Sequence, residues 1–210
     1  MTELPALITA FTTLFIIIDP PGLAPLFLAL TQGMTPGQRR AIGLRACIIA
    51  FVLMLVFLFL GETVLTFVGI SMPAFRIAGG ILLFLTALEM LFQKRQARRK
   101  DNADEGAAEH HDDPSVFPLA LPLIVGPGAI TTVILFAGQA RAAVDYAAIT
   151  GVMLAVLGIV FLSFLASGVI ERALGRTGIN IVTRVLGMLL AALAIQFVLD
   201  GIRQSFGLGG

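Results

Sequence analysis

The chain has 210 residues, 58% of them apolar and 13% charged, with a formal net charge of +1 and a mean hydropathy of +0.97. Soluble domains are usually roughly 45–50% apolar and about a quarter charged, so the composition excludes a soluble globular protein and points to an integral membrane one. The small net charge implies nothing about nucleic acid, and no such partner is expected; a lone cysteine, Cys47, rules out an intramolecular disulfide and dithiol redox chemistry.

The first apolar segment, Leu4–Leu30, carries Asp19-Pro20-Pro21-Gly22 near its midpoint, with Thr12 and Thr13 before it. Two prolines remove backbone donors and clash with the preceding turn, and Gly22 permits any backbone angle, so a helix must break here. The break frees carbonyls on one side. On the other it frees amides at the start of the half-helix Leu23–Leu30, and those amides with the helix dipole attract an anion. Asp19 is the one carboxylate at mid-span, where a charge costs on the order of 2.5–3.5 kcal/mol. Two roles stand open for it: N-cap of the outgoing half-helix, or ligand for a cation or proton.

The second segment, Ala41–Leu60, follows a basic loop with Arg39, Arg40 and Arg45, and the third, Met72–Phe92, has Arg76 in its first turn and Glu89 near its end. Lys94–Pro114 reads as a solvated linker, a basic run followed by an acidic tract. Within it Glu109, His110, His111, Asp112 and Asp113 are potential metal ligands, but adjacent histidines lack the spacing of a closed site, so no metal is expected. The fourth segment, Val116–Gly138, breaks at Val125-Gly126-Pro127-Gly128 and continues with Thr131 and Thr132. The fifth, Ala147–Ser167, and the sixth, Ile181–Leu199, complete the set, with Arg184 in the first turn of the last. Ser115–Ala140 and Ala147–Ile170 hold no charged residue over 26 and 24 positions, and ~20 apolar residues span a bilayer core. Nothing alternates with period two, so the spans are helices and not barrel strands.

The two halves echo each other. Asp19-Pro20-Pro21-Gly22 matches Val125-Gly126-Pro127-Gly128 at an offset of 106 residues. Glu62, Leu65, Gly69, Arg76 and Gly79 match Glu171, Leu174, Gly178, Arg184 and Gly187 at 108 to 109. Basic residues fall ten to two in favour of the loops after the first, third and fifth spans, which makes those loops cytoplasmic and both termini external. Re-entrant first and fourth segments are the alternative, and they weaken that asymmetry. The fold expected is an all-α membrane protein of six transmembrane helices, arranged as two inverted three-helix repeats. These are residues 1–93 and 116–210, joined by a flexible cytoplasmic linker, 94–115, with helices 1 and 4 broken at their Pro/Gly motifs.

Asp19-Pro-Pro-Gly-Leu-Ala-Pro-Leu-Phe, Arg76-Ile-Ala-Gly-Gly-Ile-Leu-Leu-Phe, Pro122-Leu-Ile-Val-Gly-Pro-Gly-Ala-Ile and Gln196-Phe-Val-Leu-Asp-Gly-Ile together resemble the MarC family of bacterial inner-membrane proteins, over essentially the whole chain outside the linker. That resemblance implies transport of small neutral amino acids such as glycine and alanine, and kinship with LysE-type exporters. Asp19 stands where some members have Asn before the proline.

The function expected is a secondary transporter, not an enzyme, with no cofactor. Its small zwitterionic substrate would sit among Asp19, Pro20, Pro21, Gly22, Gly126, Pro127, Gly128 and Thr131. The carboxylate would lie on the half-helix amides, and the ammonium on the freed carbonyls and Asp19. Arg76 with Glu62, and Arg184 with Glu171, are candidate gate pairs, against simple snorkelling to the headgroups. H+ or Na+ is a candidate coupling ion, the bilayer is the partner, and an oligomer is open. No nucleotide-binding loop is present. An ion channel or ion/proton exchanger using Asp19, and a small-molecule or drug exporter, are the rival readings.

Overall fold

The structure, a computed structural model, describes residues 4–108 and 113–207, for 102–108 the backbone only. Glu109, His110, His111 and Asp112, weighed above as metal ligands, lie outside the described residues.

The described residues are helical throughout their ordered elements: α1 (Leu4–Ile18), α2 (Pro20–Leu30), α3 (Pro36–Val68), α4 (Met72–Leu91), α5 (Lys94–Ala108), an irregular segment (Ser115–Ile124), α6 (Pro127–Ala137), α7 (Ala143–Leu165) and α8 (Ser167–Ser205). Local chemistry sets the boundaries. Thr35 and Gln38 form a reciprocal cap at the start of α3, with Pro36 at the first helical position. Gly69 closes α3 in the left-handed region at φ 83°, and Ser71 then caps α4. Phe117 and Leu121 have extended backbone inside the irregular segment, and Gly175, at φ 58°, kinks α8.

Among the described residues, five stretches are long and apolar enough to cross a bilayer, Leu4–Leu30 counted as one. A sixth crossing results if Ser115–Ile124 and Pro127–Ala137, bent by 62° at their junction, act together. The span Leu4–Leu30 is 67% buried and the other four 28–33%, so α1 and α2 form the centre. α6 lies there too, buried at Gly128, Ala129 and from Thr131 to Ala137. Around this centre the outer helices expose Val56, Phe59 and Leu60 of α3, Leu162 of α7, and Ile181 and Met188 of α8. An apolar exterior around a packed interior is what a helical protein needs in lipid.

The outer helices pair antiparallel. Cys47 of α3 meets Leu157 of α7, and further along Phe59 stacks on Tyr146. In α4 and α8, glycines bring the backbones together. A Cβ on Gly80 would stand 2.8 Å from the Ala194 carbonyl, one on Gly187 3.2 Å from that of Ala87, and one on Gly201 3.0 Å from that of Pro73. Small residues at such crossings let helices approach closely where no hydrophobic force drives them together.

One expectation needs correction. The stretch read as a solvated flexible linker is helical over Lys94–Ala108, and two of its arginines, Arg95 and Arg99, are buried. They are buried because the interior offers them a carboxylate and carbonyls, as follows.

Candidate functional site

Ile18 ends α1 and Pro20 starts α2, and the single residue between them, Asp19, is fully buried in the left-handed region at φ 57°. Asp and Asn tolerate that region better than other side chains, because a short polar group can bond locally. Here it does so. The Gly22 amide donates to Asp19 Oδ1 at 3.2 Å, the N-cap bond of α2. Gly22 must be glycine for this geometry, since a Cβ there would stand 2.1 Å from Asp19 Oδ2.

The second carboxylate oxygen is taken as well. Arg99 Nη1 donates to Asp19 Oδ2 at 3.1 Å, and Thr183 Oγ1 of α8 approaches the same atom at 3.5 Å. Arg99 Nη2 donates to the Ile18 carbonyl at 2.8 Å, and Arg95 Nη2 donates to the Ile17 carbonyl. The carbonyls freed at the end of α1 are thus satisfied by two guanidiniums, and the negative end of the α1 dipole lies against them. Burial pulls the Arg95 guanidinium down to about 9, Arg99 adds to that, and Asp19 and Glu89 oppose it, so Arg95 stays charged at neutral pH.

Beside this cluster lies a cavity of about 250 Å³. Its floor is the α1 end at Ile17 and the start of α6 at Gly126, Pro127, Gly128 and Ala129. α4 lines one wall with Leu82, Leu85, Thr86 and Glu89, and α5 lines another with Arg95, Arg98 and Arg99. Pro122, Leu123 and Ile124 complete it. Arg98 Nη1 is 2.7 Å from Glu89 Oε1, while Glu89 Oε2 is buried with no hydrogen-bond partner. A Cβ on Gly128 would sit 3.3 Å from Ile17 and 3.9 Å from Thr86 Oγ1, so the two interrupted segments meet at this point.

The residues expected to form the site divide accordingly. Gly126, Pro127 and Gly128 line the cavity. Asp19, Pro20, Pro21 and Gly22 do not; they belong to the capped junction behind Arg99. Thr131 packs its methyl against Gly79, and Thr13 bonds the Thr9 carbonyl. The gate pairs are not brought together: among the described residues no ion pair joins Arg76 to Glu62 or Arg184 to Glu171. Arg76 is buried and feels the charge of Asp200 instead, while Arg184, Glu62 and Glu171 are exposed. Sequence reasoning missed Arg95, Arg98, Arg99 and Glu89. The signal was available: Arg95 and Arg99 stand four apart, one helical face, in a chain with a buried carboxylate that needed a cation.

Comparison with known proteins bears on this arrangement. Residues 4–206 match the MarC family, described as integral membrane proteins. A UPF0056 membrane protein of Archaeoglobus fulgidus is 43% identical over 196 residues, covering 93% of this chain and 91% of that one. The UPF0056 membrane protein YvbG of Bacillus subtilis is 34% identical over 201 residues, covering 95% of each. The UPF0056 inner membrane protein YhgN of Escherichia coli K12 is 35% identical over 198 residues, covering 94% and 96%. No solved structure matches the chain.

Proposed function

The chain belongs to the MarC family of integral membrane proteins, and we propose that it is a secondary transporter of a small zwitterion, a neutral amino acid of the size of glycine or alanine. The observation that carries this reading is the cavity of about 250 Å³ between the start of α6 and the arginines of α5, with a carboxylate, Glu89, in its wall. Cationic groups and first-turn amides suit a carboxylate, and an acidic oxygen suits an ammonium. Drug-sized ligands occupy clefts of roughly 300–1,000 Å³, so the volume favours a small substrate over a bulky drug.

The reading places the cavity at the meeting of two broken spans in two inverted halves, residues 1–93 and 116–210. Support comes from the antiparallel pairing of α3 with α7 and α4 with α8, the relation an in-plane two-fold would give to equivalent spans. The side of the cavity lined by α5, together with the basic loops, is the one we assign to the cytoplasm, with both termini outside. The E. coli relative's name supports the cytoplasmic membrane as the location. A coupling ion, H+ or Na+, completes the transport cycle. Asp19 is a poor candidate to bind it, since Gly22, Arg99 and Thr183 already surround its carboxylate, and this disfavours the ion-exchanger reading.

Titration of detergent-purified protein with a panel of amino acids, read by calorimetry or thermal shift, tests the proposal. Saturable binding of glycine or alanine, weakening as the side chain grows, is the expected outcome. A panel with no binder would sink it.

A further inference from the structure

We infer that Glu89 and Arg98 read the two charges of the substrate, and that a zwitterion binds by inserting between them. The inference rests on the transporter reading above and specifies which side chains confer its selectivity.

Charge balance in the cavity leads to this pair. Asp19 and Arg99 neutralise each other in the buried junction, and Arg99 is further committed to the Ile18 carbonyl. Arg95 is committed to the Ile17 carbonyl and the Met90 sulfur. Both guanidiniums are thus anchored on the α1 end, and a ligand that drew either one away would uncap it. Arg98 differs: among the described residues its one ion-pair partner is Glu89, at 2.7 Å, and it is more than half exposed. Glu89 offers it one oxygen and leaves the other, Oε2, buried without a partner. A buried carboxylate oxygen with no donor costs free energy that a ligand's ammonium would recover.

Arg98 and Glu89 hold opposite charges side by side, as an α-amino acid holds its own two groups. Opening the pair and seating the substrate exchanges one ion pair for two: carboxylate on Arg98 and ammonium on Glu89, in a cavity that the start of α6 also lines. A molecule with only one of the charges breaks the protein's pair and leaves one member uncompensated. The pair therefore discriminates zwitterions from simple carboxylates and simple amines by penalising the wrong ligand, not only by attracting the right one.

The test uses purified full-length protein and three probes: alanine, propionate and isopropylamine. Wild type should bind alanine and neither of the others. Glu89→Gln and Arg98→Gln should each weaken alanine by about tenfold to a hundredfold, the range of one charge-assisted hydrogen bond. Glu89→Gln should gain affinity for propionate, since Arg98 then lacks its competitor, and Arg98→Gln should gain affinity for isopropylamine. Arg98→Lys should keep most of the alanine binding, and unchanged thermal unfolding would establish that the variants fold. Wild-type alanine affinity in both neutral variants would overturn the inference while leaving the transporter reading intact. A wild-type protein that binds no amino acid would overturn both.

Discussion

Arg99 donates to Asp19 across eighty positions of sequence, at 3.1 Å, with both side chains buried. The contact ties α5 to the junction of α1 and α2, and it turns a mid-span carboxylate from a liability into a clamp. Removing one member of such a pair leaves an unpaired buried charge at a cost of about 3–5 kcal/mol, far above the worth of an exposed ion pair. Asp19→Asn keeps the cap and tolerates the left-handed backbone, so its loss of stability reports the charge alone. Arg99→Gln should lose a similar amount, and the double variant should regain most of it. Thermal unfolding in detergent gives the cycle, and losses that simply add would contradict the clamp.

Two glycines at the interrupted segments should respond differently to the same change. At Gly22 a methyl group would meet Asp19 Oδ2 at 2.1 Å and force the carboxylate off the α2 amide. At Gly128 the nearest atoms, of Ile17 and Leu83, stand at 3.3 and 3.4 Å. Gly22→Ala should therefore destabilise the protein by about 1–3 kcal/mol or more, and Gly128→Ala by clearly less. The reverse order of unfolding temperatures would show that the junction is not built as described.

Much of this was legible in the sequence, and what was not has a physical reason. Membrane class and an all-helical fold with five or six apolar stretches follow from apolar length, and the helix boundaries at Ile18 and Pro127 from proline and glycine, which act locally. The partners of Asp19 act across the fold. Lys94–Lys100 reads as a solvated basic run because arginine is usually exposed; the four-residue spacing of Arg95 and Arg99 hints at one face, and the tertiary meeting of α5 with the α1 end turns that face inward. The gate pairs rested on repeat symmetry alone, and Arg76 is buried without an ion pair to Glu62.

The crossing of α4 and α8 depends on close backbone approach. Gly80→Val would push a side chain into Ala194 and Val198, and Gly187→Val one into Met90 and the Ala87 carbonyl. Each should cost about 1–3 kcal/mol and lower the yield of monodisperse protein. Gly151→Ala in α7 meets nothing within 4 Å and should be neutral or stabilising by about 0.5–1 kcal/mol, through helix propensity. Equal behaviour of the three variants would remove the small-residue crossing from the fold's energetics.

Sidedness is open to direct labelling. In a Cys47→Ala background, Gln38→Cys in the first turn of α3 and Arg141→Cys before α7 are both at exposed positions, at opposite ends of the antiparallel α3–α7 pair. An impermeant thiol reagent added to intact cells should label position 141 and leave position 38 for permeabilised cells. Labelling of both from one side would rule out the inverted arrangement.

The most direct measurement is uptake of labelled alanine into proteoliposomes preloaded with unlabelled alanine, comparing wild type with Gly128→Leu. A leucine at 128 would project toward Ile17, Leu83 and Thr86 and fill the cavity at the start of α6. The expected result is saturable exchange by wild type, competed by glycine, and none by a correctly folded Gly128→Leu protein. Exchange by the variant at the wild-type rate, or wild-type vesicles indistinguishable from empty ones, would contradict a small-zwitterion site in this cavity.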